Sequence, residues 1–103
     1  MPSDRVRIVW SPQSEDDLLS LWRWGASRFS PAVADGHLRD IHRAVMRLAA
    51  SPLTGRERND LRRGIREIVV YPTVLFYRVS REQVEIVRVV DGRRDLAALF
   101  GKD

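Results

Sequence analysis

Residues 64–95, GIREIVVYPTVLFYRVSREQVEIVRVVDGRRD, contain three apolar runs rich in Val, Ile, Tyr and Phe. Tyr71-Pro72-Thr73 separates the first two, and Ser80-Arg81-Glu82-Gln83 separates the second and third. β-branched and aromatic side chains suit a pleated, half-buried surface, and breaks this short join antiparallel neighbours. The stretch therefore predicts a three-stranded meander, and it carries Arg66, Arg78, Arg88, Arg93 and Arg94, with Arg62 and Arg63 just before it. With a four-residue turn at 80–83, Leu75, Tyr77, Val79, Val84 and Ile86 share one face. Val74, Phe76, Val87 and Val89 then share the other.

The segments before the meander predict what covers it. Arg5 to Trp10 alternates, with Val6, Ile8 and Trp10 on one side, which is the period of a strand with one buried face. Ser11-Pro12 supplies an N-cap and a first helical residue, followed by Glu15, Asp16 and Asp17 where the helix dipole favours negative charge. In that helix Leu18, Leu21, Trp22, Gly25 and Phe29 fall on one face, and Trp24 points away from it. Ser30-Pro31 repeats the start signal, so the two helices form an antiparallel hairpin. Ala34, Leu38, Ile41, Val45 and Leu48 make the inner stripe of the second helix, and Asp35–Arg39 and Asp40–Arg43 can pair on its outside. Ser51-Pro52 ends it. Residues 53–59, LTGRERN, read as an irregular connection. Leu96 to Phe100 reads as one or two turns of helix closing against the sheet edge.

The fold class expected is α+β: an N-terminal strand, a helical hairpin, then the meander, with the helices on one face of a four-stranded sheet. At 103 residues the chain suits a single domain spanning 1–103. One helical hairpin covers one side only, which leaves Val74, Phe76, Val87 and Val89 on a bare apolar face that invites a protein partner. Trp24 and Arg78 are further candidates for that contact.

Charge narrows the partner. Of 18 basic residues all but Lys102 are Arg, whose planar fork suits carboxylates and phosphates. Base composition of the genome explains part of this excess; an acidic protein or nucleic-acid partner is the other reading. No apolar run approaches the ~20 residues of a membrane span, and the charged start MPSDRVRIVW predicts no leader, so a cytoplasmic location is expected. The lack of cysteine excludes disulfides and thiolate metal sites.

Little in the chain suits acid–base chemistry. His37 and His42 lie five apart on the second helix, about 140° around it, and do not converge on one metal or proton. No zinc spacing, P-loop or dinucleotide glycine pattern occurs. Phosphoryl transfer without histidine would need Arg for charge and Tyr or a carboxylate for the proton, and Arg62, Arg66, Tyr71, Tyr77, Arg78, Arg88 and Arg94 offer part of such a set. The competing reading makes Tyr71 and Tyr77 strand aromatics and pairs the arginines with Glu67, Glu85, Asp91 and Asp95.

Leu48 to Arg66 (LAASPLTGRERNDLRRGIR), Tyr71 with Tyr77-Arg78-Val79, and Val84 to Leu96 (VEIVRVVDGRRDL) together resemble the RelE/ParE toxin superfamily of bacterial type II toxin–antitoxin modules. The likeness extends to the first strand and the helical hairpin. RelE-like members cut messenger RNA on the ribosome with basic sheet residues plus Tyr or His near the C-terminus, and LAALFGKD has neither. Gly92-Arg93-Arg94-Asp95-Leu96 is similar to the ParE pattern, although Asp91 stands where that pattern commonly has His.

The ParE resemblance implies a poison of DNA gyrase that acts by binding, without cofactor or metal. It further implies a ParD-like antitoxin: a ribbon-helix-helix dimer that alone contacts operator DNA, and whose acidic amphipathic C-terminal segment wraps the toxin. Arg93 and Arg94 are the expected target contacts, with Arg62, Arg66 and Arg78 as weaker ones. The alternative is a ribosome-dependent endonuclease using Arg62, Arg66, Arg88 and Tyr77. A third is a degenerate toxin kept for binding its antitoxin.

Overall fold

A computed structural model describes residues 6–92 and Phe100. Strand β1 (Arg7–Trp10) leads into helices α1 (Pro12–Arg28) and α2 (Pro31–Ala50). A 3-10 turn (Pro52–Thr54) and the short β2 (Arg56–Glu57) follow, then β3 (Arg66–Val70), β4 (Thr73–Ser80) and β5 (Gln83–Asp91).

Both helices start where the Ser-Pro pairs predict. The Ser11 hydroxyl accepts from Ser14 N–H at 3.0 Å and the Ser30 hydroxyl from Val33 N–H at 3.1 Å. The inner stripe of α2 is buried at Ala34, Ile41, Val45 and Leu48. The helices come close where Gly25 faces Ala34: a Cβ added at Gly25 would lie 3.4 Å from the Ala34 Cβ. Asp40 and Arg43 pair at 3.6 Å, whereas Asp35 accepts from the Trp22 indole N–H at 2.8 Å instead of pairing with Arg39.

The sheet has five strands in the order β1-β5-β4-β3-β2, with β1 parallel to β5 and the other pairs antiparallel. The α+β plan holds, and the four-stranded expectation gains one strand. Residues 56–57 join the sheet with Arg56 opposite Glu67 and Glu57 opposite Arg66, and the second of these pairs is an ion pair at 3.1 Å. A pattern of hydrophobic alternation cannot reveal such a strand.

The β4–β5 turn is tighter than four residues, because Ser80 already pairs with Gln83. Further along, Tyr77 pairs with Ile86 but Phe76 pairs with Arg88, so Val87 is an extra residue in β5. The Ser11 hydroxyl donates to the carbonyl of Val87 at 2.9 Å while it caps α1. The bulge reverses the phase of everything after it. Val89 therefore joins Leu75, Tyr77, Val84 and Ile86 in the main core under the helices, and Val90, not Val89, joins Val74 and Phe76 on the far face.

That far face is not bare. Ile65, Val74, Phe76, Val90 and Phe100 form a second buried cluster, flanked by Leu61 and Val87. Phe100 meets Phe76 edge to face at 5.0 Å, and the Arg62 guanidinium lies over the Phe100 ring at 5.1 Å and donates to its carbonyl at 3.1 Å. The turn over 58–65 and Phe100 supply the cover that the helical hairpin cannot. Residues 96–99 of the expected tail helix lie outside the described residues.

Candidate functional site

The arginines that sequence reading singled out are mostly anchored within the chain. Arg66 donates to the carbonyls of Leu53 (3.2 Å) and Gly55 (2.8 Å) and pairs with Glu57 at 3.1 Å. Arg88 donates through two nitrogens to Asp17, at 2.8 and 3.0 Å, and this partner raises the pKa of the guanidinium. Arg62 holds Phe100 as described. Arg78 projects outward from β4 and pairs with Glu85 across the strand at 2.6 Å. Arg93 and Arg94 lie outside the described residues.

Tyr77 is fully buried. Its hydroxyl donates to the Pro52 carbonyl and accepts from Gly55 N–H, both at 2.8 Å. Burial pushes its pKa above the ordinary tyrosine value, with the Gly55 bond and the nearby Arg66 charge acting the other way. A phenol committed twice, and harder to ionise than usual, is a strut for residues 52–55. Tyr71, by contrast, is almost wholly exposed. Tyr77 and Arg66, partners across β3 and β4, both hold Gly55, while Arg88 is tied to Asp17 on α1, so all three are committed to contacts within the chain. Among the described residues no three His, Cys, Asp or Glu side chains could hold a metal ion, and no helix is long and apolar enough to cross a membrane.

The feature most suited to a partner is a groove of about 430 Å³ between the tip of the helical hairpin and the end of the sheet. Leu21, Ala34 and Val89 line it together with Trp24, Phe29 and Val33. Trp24 is 53% exposed and Phe29 62%, and their rings meet edge to face at 5.7 Å. Phe29 is thus a correction: it caps α1 as an exposed rim residue instead of entering the core. His37 lines the groove with its Nε2 3.4 Å from the Thr73 hydroxyl, and Asp17 and Asp91 also line it.

Of the residues expected to meet a partner, Trp24 and Val89 are brought together in this groove. Val74 and Phe76 belong to the second core and Val87 flanks it, so these three form no open surface with Trp24. Phe29 and Val33 were missed. The signal available for them was the recurrence of apolar residues at 24, 29 and 33 around a helix–helix junction.

Comparison with known proteins places this geometry in context. A family model described as the ParE toxin of the type II toxin–antitoxin system parDE matches residues 8–96. Toxin ParE3 of Caulobacter vibrioides is 38% identical over 96 residues, which cover 93% of this chain and 96% of that protein. Toxin ParE1 of Mycobacterium tuberculosis is 33% identical over 91 residues, covering 87% and 93%. A solved structure titled as the chromosomal ParDE TA system from P. aeruginosa shares the fold, with a TM-score of 0.75 at 21% identity over 86% of this chain and 98% of that one.

Proposed function

The chain belongs to the ParE toxin family of type II toxin–antitoxin systems, and from that premise we propose that it arrests growth by binding DNA gyrase and trapping it on cleaved DNA. It acts in the cytoplasm and is neutralised by a ParD-like ribbon-helix-helix antitoxin, through which alone it meets operator DNA. The acidic, amphipathic C-terminal segment of that antitoxin seats its apolar side in the groove rimmed by Trp24 and Phe29. Arg93 and Arg94 make the contact with gyrase, and Arg78, more exposed than Arg62 and Arg66, is the candidate among these three best placed to assist them.

One observation favours binding over catalysis. The phenol that an endonuclease of this fold would use to move a proton, Tyr77, is buried and doubly hydrogen-bonded to Pro52 and Gly55. Arg88, the charge stabiliser such an endonuclease would need, is held by Asp17. Relief of that arrangement would dismantle local structure before any substrate could enter.

A gyrase cleavage assay with the purified toxin tests the proposal. Accumulation of linear, protein-linked DNA that depends on gyrase is the expected outcome. Growth arrest in cells without such DNA, together with discrete cuts in ribosome-bound message by primer extension, would replace it with the endonuclease reading.

A further inference from the structure

The outer face of α2 carries a row of arginines. Arg39, Arg43 and Arg47 recur at intervals of four, so each lies about 6 Å further along the helix than the last and about 40° further around it. All three are exposed, while Ile41, Val45 and Leu48 on the opposite side are buried in the main core, so the row stands on a fixed support. Arg39 folds back along the helix: a Cβ at Gly36 would lie 3.7 Å from its Nη2. At the other end Arg47 lines a trough together with Arg56 of β2, which carries the row onto the sheet.

The carboxylates nearby leave most of this charge uncancelled. Asp40 pairs with Arg43 at 3.6 Å, but both side chains are largely exposed and the pair is weak. Asp35 accepts from the Trp22 indole. Around Arg56, Glu57 is held by Arg66, and Glu67 and Asp60 are held by Arg58. Arg39 and Arg47 form no ion pair among the described residues. Between them the one large apolar side chain exposed on the helix is Met46, which gives an amphipathic peptide or a membrane little to bury against. The exposed aromatic rings, Trp24, Phe29 and Tyr71, lie off this helix, so the bases of a single strand find no stacking platform here.

We infer that this row docks on the sugar–phosphate backbone of duplex DNA. From Arg39 to Arg47 the helix spans about 12 Å, which is also about the width of the major groove of B-DNA. Laid across that groove, α2 sets Arg39 against the phosphates of one rim and Arg47 with Arg56 against those of the other. Arg43 stands between them, tethered to Asp40. The planar guanidinium fork suits phosphate oxygens, and such contacts fix position without reading sequence. Operator choice therefore stays with the antitoxin. The inference rests on the gyrase reading for the source of its DNA, the duplex that the target holds.

The probe is a fluorescent duplex of about 20 base pairs and arbitrary sequence, titrated with purified toxin at salt concentrations from about 50 to 200 mM. The logarithm of affinity should fall linearly with the logarithm of salt. In R39Q/R47Q the slope should shrink by about 2, at roughly 0.9 for each lost phosphate contact, and binding at the lowest salt should weaken at least tenfold. Arg56→Gln should shrink the slope by about 1. R23Q/R81Q removes the same charge from α1 and the β4–β5 turn and should leave slope and affinity nearly unchanged. An unchanged thermal midpoint in each variant shows that the fold is kept.

A native slope in R39Q/R47Q would overturn the inference, as would an equal loss in R23Q/R81Q, which reports net charge alone. Binding of single-stranded DNA, duplex RNA, polyglutamate or anionic phospholipid vesicles as tightly as the DNA duplex would overturn it too. If gyrase is poisoned and R39Q/R47Q binds the duplex as the native chain does, the row alone loses its role. If gyrase is not poisoned yet the slope shrinks as stated, the functional reading falls and the DNA contact remains.

Discussion

Asp17 takes over as the neighbour of β5 where β1 stops. Its Oδ2 accepts from both Arg88 Nε (2.8 Å) and the Val89 backbone N–H (2.9 Å), and its Oδ1 accepts from the other Arg88 nitrogen at 3.0 Å. One carboxylate on α1 thus pairs a strand edge and neutralises an arginine, and both side chains are largely buried.

Asp17→Asn should therefore cost about 3 kcal/mol, since it strands a mostly buried guanidinium. Urea unfolding would show a lower midpoint with an unchanged slope. Arg88→Met leaves Asp17 with the Val89 N–H and should cost less. An Arg88 used for chemistry would show the opposite pattern, with activity lost and the midpoint kept.

The contact between Gly55 and Tyr77 leaves no room for a side chain. A Cβ at residue 55 would lie 2.6 Å from Tyr77 Cε1 and 2.8 Å from the Glu67 carbonyl oxygen. Gly55→Ala should destabilise by about 2 kcal/mol through overpacking. Tyr77→Phe removes a donor to Pro52 and an acceptor for Gly55, and should cost about 2 kcal/mol as well. Thermal unfolding of both variants checks this.

Tyr77 also sets an alkaline limit. Its folded pKa is raised above the ordinary value of 10.0, chiefly by burial. The unfolded chain then loses this proton first, so the contribution is intact below about pH 10 and declines as pH climbs through the folded pKa. Stability measured from pH 8 to 11 should fall more steeply for the native chain than for Tyr77→Phe.

Phe100 is buried against Phe76 and under Arg62. Phe100→Ala should cost about 3 kcal/mol, and Phe100→Leu distinctly less. Differential scanning calorimetry of the two variants separates loss of volume from loss of the aromatic edge contact.

Trp24 and Phe29 contribute little to the core. Trp24→Ala should change stability by no more than about 1 kcal/mol, mainly through the lost ring contact. Affinity for the antitoxin should drop at least tenfold if the pair anchors it. Co-expression rescue compared with an unfolding curve distinguishes the two effects.

The helices were legible because their signals are local and redundant: Ser11-Pro12 and Ser30-Pro31 fix the starts, and the stripe from Ala34 to Leu48 fixes the buried face. The meander was equally plain in composition. The bulge at Val87 was not, because 86–90 is nearly continuous in apolar character and offers no phase to read. Its consequence was the misplacement of Val89. The β2 strand was invisible for the opposite reason, having no apolar residue. The burial of Tyr77 and the anchoring of Arg66 and Arg88 depend on contacts distant in sequence, so a list of candidate residues could not separate struts from free chemistry.

Because Phe100 plugs the smaller core, its ring acts as a stopper. A nonsense codon placed before it withdraws that stopper and bares Val74, Phe76 and Val90. Truncated toxins that lose potency would then be reporting a leaking interior and not a lost contact with a target. Charge swaps at Arg93 and Arg94 that leave Phe100 seated are the cleaner dissection.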